Sequence, residues 1–73
     1  MSEIQQEVTL RDRTGQHFPL LLIRWPLTKR DGTIEPRWTI LARGVVWRSH
    51  LQTLADAERV FFEAQTHFQH WPT

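Results

Sequence analysis

The 73-residue sequence predicts an α+β fold: a three-stranded antiparallel meander, with a possible short fourth strand near 45–48, and one C-terminal α-helix packed on one face. Three observations predict it. Two glycine-bearing turn signals, Arg13-Thr14-Gly15 and Arg30-Asp31-Gly32, separate runs rich in Val, Leu, Ile, Thr, Phe and Trp. Such runs favour strands, and a Gly closing a three-residue hairpin loop supplies the left-handed position of a bulge. From Leu54 onward the spacing of apolar residues changes from the strand period to the helical one.

The loops place strands at about 5–12, 16–25 and 33–43, and they also set the register. A loop at 13–15 opposes Leu10 to Phe18 and Val8 to Leu20. A loop at 30–32 opposes Leu22 to Ile40, Leu20 to Ala42 and Arg24 to Trp38. Opposed residues share a face, so one face collects Val8, Leu10, Phe18, Leu20, Leu22, Trp38, Ile40 and Ala42. A slip of one residue at the second loop would set Arg24 against Arg37, and like charges directly opposed are unfavourable. Pro19 argues against a regular central strand, because proline removes a ladder donor. A bulge or a short first pairing is expected there. Pro26 and Pro36 face each other near the hairpin tip, where pairing is expected to fray. Val45-Val46-Trp47-Arg48 reads as a short extended piece, or as a continuation of the third strand past a bulge.

Leu54, Ala57, Phe61, Ala64, Phe68 and Trp71 recur at steps of three and four, one stripe of a helix spanning about 54–70. Thr53 is suited to the N-cap, with Asp56 three residues on in a near capping box, and Pro72 ends the helix by Trp71. The stripe is expected to lie across the apolar sheet face, with Leu54, Phe61 and Phe68 each contributing ~1.5–3 kcal/mol through burial. Phe62 lies off the stripe and is expected to be exposed. Residues 1–4 and 72–73 read as frayed tails. The junction from Trp47 through Leu51-Gln52-Thr53-Leu54-Ala55-Asp56-Ala57-Glu58 loosely resembles the last-strand-to-helix junction of small βββα modules, such as the plant AP2 type and the arm-binding domains of phage integrases. Helix-start signals alone generate such a junction, so it assigns no family.

Composition narrows the function. The length suits one domain, and 40% hydrophobic with 23% charged residues suits a folded one. There is no cysteine for a disulfide or a thiolate metal site. No apolar run approaches the ~18–20 residues of a membrane span. The polar, acidic start Met1-Ser2-Glu3-Ile4-Gln5-Gln6-Glu7 lacks the features of a secretory signal. A cytoplasmic protein without membrane attachment is therefore expected. Net charge is +1, but residues 8–48 hold eight Arg or Lys against three acids, and both ends are acidic.

Catalytic chemistry finds little to work with, and no catalytic residue, cofactor or metal is assigned. There is no Cys or Tyr, and the serines are Ser2 and Ser49. A nucleophile needs a base oriented by a third group, and Ser49 beside His50 reads instead as part of the turn into the helix. Glu63, His67 and His70 share a helix flank, but a zinc site needs three or four protein ligands with outer support. A solvated helix end with His near the C-terminus explains them more simply.

The second strand carries the functional signal. Phe18-Pro19-Leu20-Leu21-Leu22-Ile23-Arg24-Trp25 is apolar on both faces, whereas a sheet covered on one side alternates apolar and polar residues. The face away from the helix then carries Leu21, Ile23, Trp25 and Leu41, with Thr9, Arg11, Arg37, Thr39 and Arg43 around them and Arg37 and Arg43 forming the rim. An apolar centre with an Arg-bearing rim is the anatomy of a protein–protein interface. The expected function is non-enzymatic, regulatory binding of another protein, or of a second copy as a homodimer, through this open face. The chain's own N-terminal segment or residues 44–48 could instead fold over it, or the helix could cover it. A nucleic-acid-binding module is the alternative, using Arg11, Arg13, Arg30, Arg37 and Arg43 for phosphates and Trp25, with Trp38, for stacking. The low net charge and the apolar centre favour a protein partner.

Overall fold

The computed structural model describes residues 2–69. Its elements run β1 (Glu3–Arg11), β2 (His17–Thr28), β3 (Ile34–Ala42), β4 (Val45–Leu51) and α1 (Leu54–Gln69). The strands form one antiparallel sheet in the order β1-β2-β3-β4, and α1 lies on one face of it. The fold is α+β. A full fourth strand, three residues longer than the expected 45–48 piece, separates it from three-stranded βββα modules.

Both predicted loops form. Asp12 N donates to Gln16 O and Lys29 N to Thr33 O, so the loops are 13–15 and 30–32. Gly15 and Gly32 take φ of 89° and 90°, which only glycine adopts at little cost. Asp12 and Asp31 brace the loops from within. Oδ1 of Asp12 accepts from the Thr14 and Gln16 amides, and Oδ1 of Asp31 from the Thr33 amide and hydroxyl. The register follows: Leu10 opposes Phe18, Val8 opposes Leu20, Leu22 opposes Ile40, and Arg24 opposes Trp38. β1 starts at Glu3, so Glu3 and Ile4, expected in a frayed tail, pair with Arg24 and Ile23. A bulge between Ile4 and Gln6 makes room for them.

The prolines are accommodated without the expected bulge or fraying. Pro19 opposes Thr9 in regular register, and pairing continues past Pro26–Pro36 to Thr28–Ile34. Alternation along an antiparallel ladder explains this. Counted from the closing bonds of the two loops, even-numbered residues of β2 bond to β1 and odd-numbered ones to β3. The Pro19 nitrogen then faces β3 just where that strand ends at Ala42. The Pro26 nitrogen points beyond the last β1 pair, Glu3–Arg24, and that of Pro36 beyond the last β4 pair, Trp38–Leu51. Each missing N–H faces a place where little or no ladder remains to be broken.

β3 turns into β4 through Arg43-Gly44, both left-handed at φ of 56° and 78°, as a type I′ hairpin requires. β4 then carries two register shifts, and His50 within it has φ of 59°. Ser49 and His50 therefore belong to this bulged strand and not to the turn into the helix.

Thr53 caps α1: its Oγ1 accepts from the Asp56 amide at 3.1 Å. The core joins Leu20, Leu22, Trp38, Ile40 and Ala42 of the sheet to Ala57, Val60, Phe61 and Ala64 of the helix. Phe68 is half-buried, its ring edge-on to Phe18 at 6.0 Å and to Trp47 at 5.8 Å. Leu54 departs from expectation. It begins the helix on one flank of the stripe and stays 40% exposed, while Val60 on the other flank is buried at 8%. Phe62 is exposed as expected. Trp71, Pro72 and His70 lie outside the described residues.

Three carboxylates titrate below their ordinary values. Asp12 is lowered chiefly by the Thr14 hydroxyl, Asp31 by the Thr33 hydroxyl, and Glu35 by hydrogen bonds from Lys29 and Arg37. A folded pKa below the unfolded one contributes stability that is complete above the unfolded pKa and lost as pH falls through the folded one. Thermal midpoints are therefore expected to be level above about pH 5 and to fall as pH drops below the ordinary 3.8 of the aspartates. Asp12→Asn should flatten part of that fall in melts recorded from neutral to strongly acid buffer.

Candidate functional site

The face of the sheet opposite α1 is built from directly opposed pairs. Leu21 faces Leu41, Ile23 faces Thr39 and Trp25 faces Arg37 across β2 and β3. Leu41 also faces Val46 on β4, and Ile23 faces Ile4 on β1. An apolar band thus crosses all four strands. Leu21, Ile23, Trp25 and Leu41 are half-buried by their neighbours, and Ile4 and Val46 are 58% and 57% exposed. The helix packs on the other side. Residues 3–11 and 45–51, either of which could have folded over the band, are strands within the sheet.

One end of the band is stiffened by polar contacts. Trp25 Nε1 donates to Thr39 Oγ1 at 2.8 Å, and Thr39 Oγ1 shares a hydrogen with Ser49 Oγ at 2.8 Å. The His50 ring stands edge-on to Trp25, with centroids 5.2 Å apart. The β4 bulge re-aims His50 toward that ring, a recurrent use of bulges. The Trp25 indole is thereby held in one orientation.

The predicted rim is only partly assembled. Arg37 opposes Trp25, but its side chain is only 11% exposed, pairing with Glu35 at 3.1 Å and donating to Pro36 O. Arg43 turns away from the band: it pairs with Asp12, and its guanidinium lies over the Phe18 ring, on the helix side, at 4.7 Å. Arg11 and Arg13 sit at the end of the sheet that carries loop 13–15, and Arg30 at the end that carries loop 30–32, in a molecule 47 × 19 × 16 Å. The arginines of the middle segment therefore form no single patch. Arg24 pairs with Glu3 and Arg43 with Asp12, while Lys29 and Arg37 share Glu35. Trp38, at 6% exposed, is a core residue with no ring to offer for stacking.

The remaining candidates are otherwise occupied. Glu63 pairs with Arg59 at 3.1 Å, and the His67 ring stacks on Trp47 at 5.8 Å. Among the described residues, no group of three His, Cys, Asp or Glu is placed to hold a metal ion. No helix among them is long and apolar enough to cross a membrane.

Thr39 lies on the face where the register put it, and Ile4, Val46, Ser49 and His50 join the face without having been predicted for it. Alternation in Val45-Val46-Trp47 could have shown Val46. The bulges that deliver Ile4 and His50 have no marker in the local sequence. Comparison with protein-family models, with curated proteins and with solved structures finds no match to this chain.

Proposed function

We propose that this chain is a non-enzymatic binding module that docks an apolar protein surface on the open face of its sheet. One observation carries the reading: the band from Ile4 through Ile23, Leu21 and Leu41 to Val46 crosses four strands with no element among the described residues upon it. Contiguous apolar surface of this kind marks interaction sites in proteins that stay dispersed. The fixed Trp25 ring supplies an aromatic anchor whose ordering is already complete before binding.

Ile23→Glu and Leu41→Glu test it. Both variants should keep the parental circular dichroism spectrum, because neither side chain belongs to the core beneath α1. Both should lose binding of an apolar reporter dye and any face-to-face association detected by sedimentation. If they unfold, the two side chains are structural and the reading fails. It fails equally if duplex DNA binds with sub-micromolar affinity near physiological salt, since a contact made only by scattered arginines collapses as salt rises.

A further inference from the structure

The geometry points to β1 as a second interaction surface, an edge that pairs antiparallel with β1 of a second copy about a two-fold axis through Thr9. This inference is independent of the open-face reading.

The sheet has two edges, and they differ. β4 carries two register shifts and a left-handed residue, devices that blunt an edge against pairing. β1 runs in unbroken register with β2 from Gln6 to Arg11. The closing bond from Asp12 N to Gln16 O sets the alternation, so Leu10, Val8 and Gln6 direct their backbone groups to β2. Glu7, Thr9 and Arg11 direct theirs outward along the free edge.

The side chains along that edge are self-complementary in one register. With Thr9 opposite its own copy, Glu7 meets Arg11 twice and Val8 meets Leu10 twice. Glu7 and Arg11 are exposed and make no ion pair among the described residues, whereas their neighbours Glu3 and Asp12 are paired with Arg24 and Arg43. Val8 and Leu10 sit half-buried at the margin of the core, on the helix side. In this register they oppose each other on one face, so both helices lie on the same side of a continuous eight-stranded sheet. Thr–Thr, opposite-charge and apolar pairs are all favourable cross-strand partners. The neighbouring alternatives do less well. Centring on Glu7 or on Arg11 sets like charges face to face, centring on Val8 leaves both charges unmatched, and centring on Leu10 leaves Arg11 opposite Thr9 and offers Glu7 only Arg13, beyond the end of the strand. The ladder would supply about six main-chain hydrogen bonds. Its area lies at the small end of specific interfaces, so mass should depend on concentration.

Charge exchange tests the register. Sedimentation at low and high micromolar concentration should show the parent shifting to twice its 8.7 kDa mass. Glu7→Arg sets Arg against Arg11 on both sides of the axis and should return the protein to monomer. Adding Arg11→Glu restores the pairing and should restore the dimer, which separates lost pairing from misfolding. The chain has no cysteine, so Thr9→Cys gives a direct reporter. Residues opposed across a hydrogen-bonded pair are about 5.5 Å apart at Cα, within disulfide reach, and mild oxidation should cross-link the dimer. A parent that stays monomeric at high micromolar concentration overturns the inference, as does a dimer indifferent to Glu7→Arg. A dimer lost in Leu41→Glu but retained in Glu7→Arg also overturns it, assigning association to the open face.

Discussion

Phe61→Ala is expected to cost about 3–5 kcal/mol and to lower the urea midpoint steeply. Phe61 is 1% exposed and is the largest of the fully buried side chains. It lies between Leu20, Leu22 and Ile40 of the sheet and Ala57 and Ala64 of its own helix. The two alanines cannot extend to fill the space left by the ring, so the cavity persists. Small domains hold ~0.05–0.15 kcal/mol per residue, about 4–11 kcal/mol for a chain of this length. One truncation therefore removes much of the total. Urea titration followed by circular dichroism measures it. A parental midpoint would mean that α1 does not rest on this face.

Trp38 should separate size from polarity. Trp38→Ala is expected to lose about 3–5 kcal/mol, because the indole fills the core where β3 meets Arg24 and Leu51. Trp38→Phe should stay within about 1 kcal/mol of the parent. The indole Nε1 is buried with no hydrogen-bond partner among the described residues, and an unmet buried donor costs about 1–3 kcal/mol. Phenylalanine gives up part of the ring area but removes that donor, so the two effects oppose each other. Thermal melts of the pair decide the point. A Phe variant as damaged as the Ala variant would show that Nε1 has a partner in solution.

The parts of the fold that could be read in the sequence are those governed by local chemistry. Gly15 and Gly32 fixed two loop lengths, and loop length fixes register through the period-2 rule. The two faces of β2 followed, and so did the apolar surface beneath α1. Thr53 marked the helix start because only a few side chains reach the free amides there. The illegible parts depend on the sheet as a whole. The bulges of β4 arise from how that strand meets β3, and with them comes the position of His50 against Trp25. Arg43 was expected at the rim of the open face, but its reach to Asp12 and Phe18 depends on which side of the sheet the I′ turn presents. Pro19 was an objection only while the end of β3 was unknown. Leu54 and Val60 exchanged roles because a helical stripe has two flanks, and only packing decides which one is buried.

On the proposed function, β2 presents one face to the core and the other to a partner. The most direct test is the urea midpoint of four single substitutions along that strand: Leu20→Gln, Leu21→Gln, Leu22→Gln and Ile23→Gln. The losses should alternate along the strand. Leu20 and Leu22, both fully buried, should each lose several kcal/mol on gaining an unsatisfied amide beneath the helix, while Leu21→Gln and Ile23→Gln should melt close to the parent. Four comparable losses would contradict the claim, because both faces of the strand would then be interior.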